Sequence, residues 1–283
     1  MHARSALFDL YGDHLRSRGS QAPVAVLVRL LAPLGVTGPA VRTSISRMVR
    51  QGWLRPVRLP TGPGYALTEQ ARSRLDDAAA RIYRTREPAW TGSWDLLVLE
   101  PPASRSARDR VRSGLGFLGY APLSDSTWIS PAVSTEAGAL LGAEGVVFSR
   151  FAARDGDPAE QAARAWDLDA LAAAYRTWRE FAGALVADPA AHLGRTVDDP
   201  AERAFAVRSL LVHEWRKFLF TDPGLPAELL PPDWAGHEAA RFFADEAARL
   251  MPAASRFVDA CLQDLGGTAD APPETTPSTG GTR

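Results

Sequence analysis

At 283 residues the chain is longer than a typical single domain, and two or three domains are expected. Hydrophobic residues make up 46%, so burying a core presents no difficulty, and no run of about 18 apolar residues occurs, which argues against a membrane span. The net charge of −1 hides an asymmetry: residues 1–88 hold fourteen arginines against six acids, a balance of +8, and the remainder holds eighteen basic and twenty-seven acidic side chains, a balance of −9. A basic N-terminal module on an acidic body implies that one segment meets a polyanion and the other does not. Of the 32 basic residues only Lys217 is lysine, a bias that a GC-rich genome explains as readily as a need for bidentate contacts. The single cysteine, Cys261, has no intramolecular partner, and the start carries no apolar leader pattern because Asp9 and Asp13 interrupt it, so a cytoplasmic protein is expected.

In chain order, residues 4–18 read as a helix with Leu7, Leu10, Tyr11 and Leu15 at helical spacing. Gly19-Ser20 break it, Pro23 opens a second helix to Leu34, and Gly35 stops that one. Thr37 or Gly38 caps a third helix, with Pro39 in its first turn, ending at Gly52. Strands Trp53–Leu59 and Gly64–Leu67 follow, joined by the turn Pro60-Thr61-Gly62-Pro63, and Thr68-Glu69 start a fourth helix running to about Arg86. Pro88 and Gly92 mark a boundary. Beyond it come a buried strand, Trp94–Leu99, an arginine-rich helix at 104–115, short strands near 120–123 and 126–130, a small helix near 134–142, and a strand from Val146 to Phe151. That βαββαβ order is ferredoxin-like. After the loop at Asp155-Gly156-Asp157-Pro158 the pattern is purely helical: 167–186, about 200–220, and 233–264. The Gly/Pro/Thr-rich tail 266–283 is expected to be disordered.

The segment TGPAVRTSISRMVRQG, residues 37–52, carries the functional signal. At 100° per residue Val41, Ile45, Met48 and Val49 fall on one side, Thr43, Ser46, Arg47 and Arg50 on the other, and Arg42 at the edge. The apolar stripe can pack on the preceding helix. The outward stripe has the chemistry of major-groove reading, with arginine donating twice to guanine O6 and N7 and the hydroxyls adapting to bases or phosphates. Helix, glycine-containing turn and helix form a helix-turn-helix, and the hairpin supplies a wing with Arg55 and Arg58 expected on one face of its first strand. The bland alternative, a surface helix in an arginine-rich chain, leaves unexplained the absence of any acid between His14 and Tyr65.

The stretches RSALFDLYGD, LVRLLAPLGVTGPAVRTSISRMVRQGWL and GYALTEQARSRL resemble the N-terminal domain of the PaaX family, repressors named for the control of phenylacetic acid degradation. The resemblance continues through WDLLVLE, LGFLGYAPLSDSTWISP, ARAWDLDALAAAYRTW and LLVHEWRKFLFTDPGLPAELLPPDW, so it covers nearly all the chain except the tail. It implies a winged helix, a middle domain similar to the Cas2 ferredoxin-like fold and a helical C-terminal domain. It also implies repression relieved by an acyl-coenzyme A, phenylacetyl-CoA in the founding members.

Other features weigh less. Gly114-Leu115-Gly116-Phe117-Leu118-Gly119 matches a dinucleotide fingerprint, but it follows a helix and precedes a strand, the reverse of what the fingerprint needs. The similarity to Cas2 raises metal-dependent nuclease chemistry, for which Asp95 and Glu100 on or beside the first strand of the middle domain lack a neighbouring carboxylate cluster. His213-Glu214-Trp215-Arg216 has no second histidine at i+4, and the five histidines are too scattered for a metal site. On the resemblance, Arg176, Arg216 or Lys217 are candidates to meet acyl-CoA phosphates and Trp166, Tyr175, Trp178 and Trp215 to line an apolar pocket, although an aromatic stripe at helical spacing is more often core; His213 joins them as a candidate or serves as a packed, hydrogen-bonded group.

The sequence therefore reads as an α+β multidomain protein. A winged helix-turn-helix occupies 1–88, a ferredoxin-like, dimerising domain 89–155, and a helical effector-responsive domain 156–265. The expected function is a homodimeric regulator on a palindromic or inverted-repeat DNA operator, with an acyl-CoA effector and with no catalytic residues, metal, cofactor or membrane. The competing classes are a Cas2-like nuclease and an enzyme acting on acyl-CoA.

Overall fold

The computed structural model describes residues 1–83, 90–154 and 156–264, leaving aside the side chains of Ala80 and Arg81. The end of the helix expected to reach Arg86, the boundary at Pro88 and the tail 266–283 lie outside the described residues. The chain forms two compact units assembled from non-consecutive segments. Met1–Leu75, Leu193–Ser209 and the described residues from Leu250 to Asp264 belong to the first, and the described residues of Asp76–His192 and Leu210–Arg249 to the second. The sequence pattern, read as successive stretches, carries no sign of this interleaving, because long-range packing leaves no local period.

In the first unit α1 (Ala3–Leu10) runs into one turn of π-helix, Tyr11–Leu15, and one of 3-10 helix, Arg16–Arg18. Gly19 and Ser20 then take left-handed conformations, φ 78° and 55°, that end the helical course. A strand absent from the sequence reading follows, β1 (Gln21–Pro23), too short to show a period of two. Pro23 ends it in an extended conformation at the N-cap of α2 (Val24–Leu31), so it precedes that helix instead of opening it. A 3-10 turn, Ala32–Leu34, stops at Gly35 with φ 73°. Helix α3 (Gly38–Arg50) leads to β2 (Leu54–Leu59) and β3 (Gly62–Leu67), which form an antiparallel sheet in the order β1-β3-β2. Gly64 lies opposite Pro23 across that sheet, and a Cβ there would come within 2.7 Å of the Ala22 carbonyl oxygen and 2.6 Å of Leu59 Cδ1. Glycine is what lets β1 join.

The core of this unit combines Leu7, Leu10, Leu15, Leu27, Leu30 and Leu31 with the inward stripe of α3 and with Phe205, Val258 and Cys261. The last three arrive on α10 (Pro200–Trp215) and α11 (Ala235–Asp264). Within this apolar packing Arg208, 2% exposed, makes a bidentate ion pair with Asp13 at 2.7 and 2.8 Å. His14, 1% exposed, has Nε2 3.2 Å from Asp13 Oδ2 and its ring 4.9 Å from that of Phe205. Closer to the surface Arg18 bonds Asp259 and Arg29 bonds Asp264.

The second unit includes the end of α4 (Glu69–Ile82) and a four-stranded antiparallel sheet. Its elements run β4 (Trp94–Leu99), α5 (Arg105–Phe117), β5 (Ala121–Pro122), β6 (Thr127–Ser130), α6 (Glu136–Ala143) and β7 (Phe148–Ala153), with sheet order β5-β6-β4-β7. This is the expected βαββαβ order, with β4 central between β6 and β7. Leu97, Leu99 and Trp128 face the helices and pack on Val111, Leu115, Ala137 and Leu141. The glycine motif resolves into geometry: a Cβ on Gly114 would meet Leu140 at 2.6 Å, so this glycine lets α5 and α6 touch, and Gly119 turns the chain at φ 87°. The remaining described elements are helical: α7 (Pro158–Ala165), α8 (Leu168–Ala187) with its N-cap Asp167, α9 (Pro189–Leu193), α10 and α11. Among the described residues no helix is long and apolar enough to cross a membrane.

Burial lowers the His14 pKa from 6.5 to about 4; Asp13 opposes the shift, and Arg208 and Arg18 add to it. The unfolded chain therefore binds a proton on His14 over a pH range in which the folded protein does not. Stability contributed at neutral pH is lost as pH falls from about 6.5 toward 4, by about 2 kcal/mol at pH 5. Comparing unfolding midpoints at pH 7 and 5 checks this, because His14→Phe should remove that part of the acid sensitivity.

Candidate nucleic-acid interface

Helix α3 buries Val41, Ile45 and Met48, with Val49 half-buried, so its apolar stripe holds the helix in the core. Its other side is open: Arg42, Thr43, Ser46, Arg47 and Arg50 are all exposed. Ser46 Oγ donates to the Arg42 carbonyl at 3.1 Å, which tethers one hydroxyl to its own helix. Thr37 takes the N-cap position without a side-chain capping bond, and Gly38 gives α3 its close approach to Val28 on α2, 3.3 Å from a Cβ placed there. Neither ion pairs nor hydrogen bonds engage the guanidinium groups of Arg42, Arg47 or Arg50 among the described residues.

The hairpin β2–β3 pairs without a break, Arg55 opposite Ala66 and Arg58 opposite Pro63. Both arginines are exposed, but not on one face as the sequence reading had them. Strand side chains alternate, so residues three apart project to opposite sides. Arg55 shares a side with Val57 and Leu59; Arg58 shares the other with Leu54 and Pro56. The hairpin therefore carries positive charge on both of its surfaces.

In the second unit the residues singled out as effector contacts do not form one group. Tyr175 is buried in aromatic packing, 4.0 Å from the Phe218 ring and 5.7 Å from Trp215, and its hydroxyl donates to Asp222. Burial, reinforced by Asp222, pushes its pKa well above the ordinary tyrosine value. Trp178 and Phe243 pack on Trp215 at 4.7 and 4.8 Å, and the Trp215 Nε1–H donates to the Ile82 carbonyl. Trp166 instead stacks on Trp94 at 6.1 Å, and Trp94 in turn meets Trp90. Arg176 is exposed on α8, next in sequence to Tyr175 but pointing away from its cluster. Arg216 Nη2 lies 3.4 Å from His213 Nδ1, and both residues are half-buried. The aromatic stripe of α8 is thus core, the ordinary outcome of large rings at helical spacing.

Asp95, 4% exposed, is held by two residues that sequence reasoning did not single out. The Tyr120 hydroxyl donates to it, and Arg150 Nε lies 3.3 Å away. Arg150 also donates to the Ser134 carbonyl, and the Ser134 N–H donates to the Tyr120 oxygen. Burial first, then the bond to Asp95, pushes the Tyr120 pKa up to about 12. Cation and phenol occupy the carboxylate that a nuclease would offer to a metal. Among the described residues no group of three or more His, Cys, Asp or Glu side chains could hold a metal ion. Arg150 lies opposite Leu97, two residues along the strand from Asp95, so the two meet diagonally across adjacent strands, a pairing that no local sequence pattern announces.

Three family models match successive stretches of the chain: PaaX-like protein over residues 2–71, the PaaX protein central Cas2-like domain over 87–163, and the PaaX-like protein C-terminal domain over 166–260. These describe a multidomain protein with a Cas2-like centre. The transcriptional repressor PaaX of Escherichia coli (strain K12) is 32% identical, covering 95% of this chain and 86% of that protein. A solved structure of an uncharacterized protein from Mycobacterium tuberculosis superposes with TM-score 0.62 at 25% identity, over 92% of this chain and 98% of that one. The chain belongs to the PaaX family.

The Asp95 cluster yields a stability prediction. Arg150→Met leaves a buried carboxylate without its cation and should cost about 3 kcal/mol, the low end for breaking such a pair because Arg150 is partly exposed. The double change Asp95→Asn with Arg150→Met should recover most of that loss in denaturant unfolding.

Proposed function

We propose that this chain is a transcriptional repressor whose N-terminal module is a winged helix-turn-helix bound to a double-stranded DNA operator. The observation that carries the reading is the outward face of α3, where Arg42, Thr43, Ser46, Arg47 and Arg50 are exposed opposite the buried Val41, Ile45 and Met48. A helix fits the major groove, and these side chains match its donor and acceptor pattern. Arg55 and Arg58, on opposite faces of the hairpin, meet phosphates beside the groove. The repressor named among the relatives supports the same reading.

One recognition helix reads only a few base pairs, so a palindromic operator and a homodimer complete the proposal. The middle domain, residues 89–155, is the dimerising element. Leu96, Val98 and Phe151 share the sheet face away from the helices; Val98 and Phe151 are 37% and 53% exposed, and β7 is an edge strand. A second copy would cover this apolar face. The helical segment 156–265 responds to an acyl-CoA such as phenylacetyl-CoA, with Arg176, His213 and Arg216 as its polar contacts, while Trp166 and Tyr175, packed in separate aromatic clusters, shape the core behind it. Effector and DNA binding are then reciprocally coupled through two states of the repressor.

Genome-wide mapping of bound DNA supplies the operator, and two sets of variants test the reading. Arg47→Ala or Arg50→Ala should weaken operator binding by about 1–3 kcal/mol and relax preference at one base position. Arg55→Ala and Arg58→Ala should weaken binding to every sequence alike and flatten the salt dependence. Unchanged operator affinity in both α3 variants, in a gel-shift or anisotropy titration, sinks the proposal. Phe151→Asp should shift the particle from dimer to monomer in light scattering. Cleavage of DNA with Mg²⁺ or Mn²⁺, or consumption of the acyl-CoA, would instead establish one of the enzyme readings.

A further inference from the structure

Helix α5 is amphipathic in an unusual way. Ala107, Val111 and Leu115 are buried against the sheet and α6. The face turned to solvent carries Arg105, Arg108 and Arg112, which fall within a stripe about 60° wide at 100° per residue. They span about 10 Å along the axis at 1.5 Å per residue. All three are exposed, and among the described residues none has an ion pair, hydrogen bond or ring contact. Their neighbour Arg110 shows the contrast, since Glu144 takes it in a bidentate pair at 2.7 and 2.8 Å. Elsewhere in this unit arginines are commonly neutralised, Arg164 by Glu160 and Arg249 by Glu246. Beside the stripe runs an open groove lined by Arg105, Ser106, Asp109, Arg110 and Ser113. Its two serines add hydroxyl donors of the kind that meet phosphate oxygens. Asp109 is the one carboxylate on this face, and it reduces the charge without pairing.

We infer that Arg105, Arg108 and Arg112 dock α5 on the phosphate backbone of duplex DNA, as a second, sequence-independent contact surface on the Cas2-like domain. The inference rests on the reading that the chain binds DNA. Charge complementarity selects the occupant: unpaired guanidinium groups held in a row on a rigid helix, in a chain segment whose overall charge is negative, match a polymer with a regular run of phosphates. Such contacts add affinity without adding base preference, so their signature is in the salt dependence.

The test uses the full chain and a 40-bp duplex of random sequence, titrated between roughly 50 and 200 mM salt, a range over which phosphate contacts change affinity steeply. The triple change Arg105→Ala, Arg108→Ala and Arg112→Ala should reduce the log–log salt slope by about 2–3 and weaken binding about tenfold or more at low salt. The corresponding triple lysine variant should retain most of the binding, since a phosphate accepts either cation, and this separates lost charge from lost structure. Asp109→Asn should shift binding the opposite way. An unchanged slope in the alanine variant, with slopes reduced in Arg55→Ala and Arg58→Ala, overturns this inference and leaves the DNA-binding reading intact. Absence of salt-dependent duplex binding by the parent protein overturns both. A triple variant that changes only the response to coenzyme A, with duplex binding unaltered, assigns the stripe to a small-molecule phosphate and also overturns the inference.

Discussion

The bidentate bond between Asp13 and Arg208 is a deeply buried constraint on the first unit. A charge this deeply buried is tolerated only when it is paired and geometrically satisfied, so the two residues must meet or the unit must reorganise. Meeting fixes where α10 enters. The π-helical turn at Tyr11–Leu15 presents Asp13 toward it, and the same turn of α10 lays Phe205 against His14 and Phe257. The core behind α3 is therefore closed by side chains that come about two hundred positions later in the chain. Val41, Ile45 and Met48 are held in that core, which is what keeps the cationic side of α3 turned outward.

Arginine plays two distinct parts in this protein. One set is consumed by carboxylates: Arg18 with Asp259, Arg29 with Asp264, Arg150 with Asp95 and Arg195 with Glu202. These join segments far apart in sequence, or steady a turn, and their charge is cancelled where it lies. A second set, on α3, on the hairpin and on α5, is exposed without a carboxylate partner among the described residues. Leaving long cations unpaired in a chain with 33 acids gains nothing for folding, because exposed ion pairs would be at worst neutral. On α3 and the hairpin they stand in a stretch without acids, from His14 to Thr68, and on α5 they share a face with Asp109.

Legibility in the sequence followed the range of the interaction. Strand β4 was plain, since a run of apolar β-formers is a local signal. The two faces of α3 were equally plain, because a helix imposes its period on thirteen consecutive residues. Strand β1 was hidden by its three-residue length, and the placement of Arg58 was misjudged by treating a spacing of three as if it returned to the same strand face. Tyr120 and Arg150 escaped notice because nothing near them in sequence marks them as partners of Asp95. Trp166 was grouped with Tyr175, Trp178 and Trp215 as a pocket-lining ring, whereas packing gave it to Trp94.

The sequence by itself determined the order and type of most of the longer elements, the outward chemistry of α3 and the basic character of the N-terminal segment. These rest on periodicity, caps and charge counts that act within a few residues. Tertiary structure decided which segments share a core, which arginines are cancelled and which remain open, and why Gly64 and Gly114 must lack a side chain. Those outcomes depend on distances between residues remote in the chain, and burial makes them decisive: a charge or a methyl group that is trivial in water becomes costly wherever the fold closes over it.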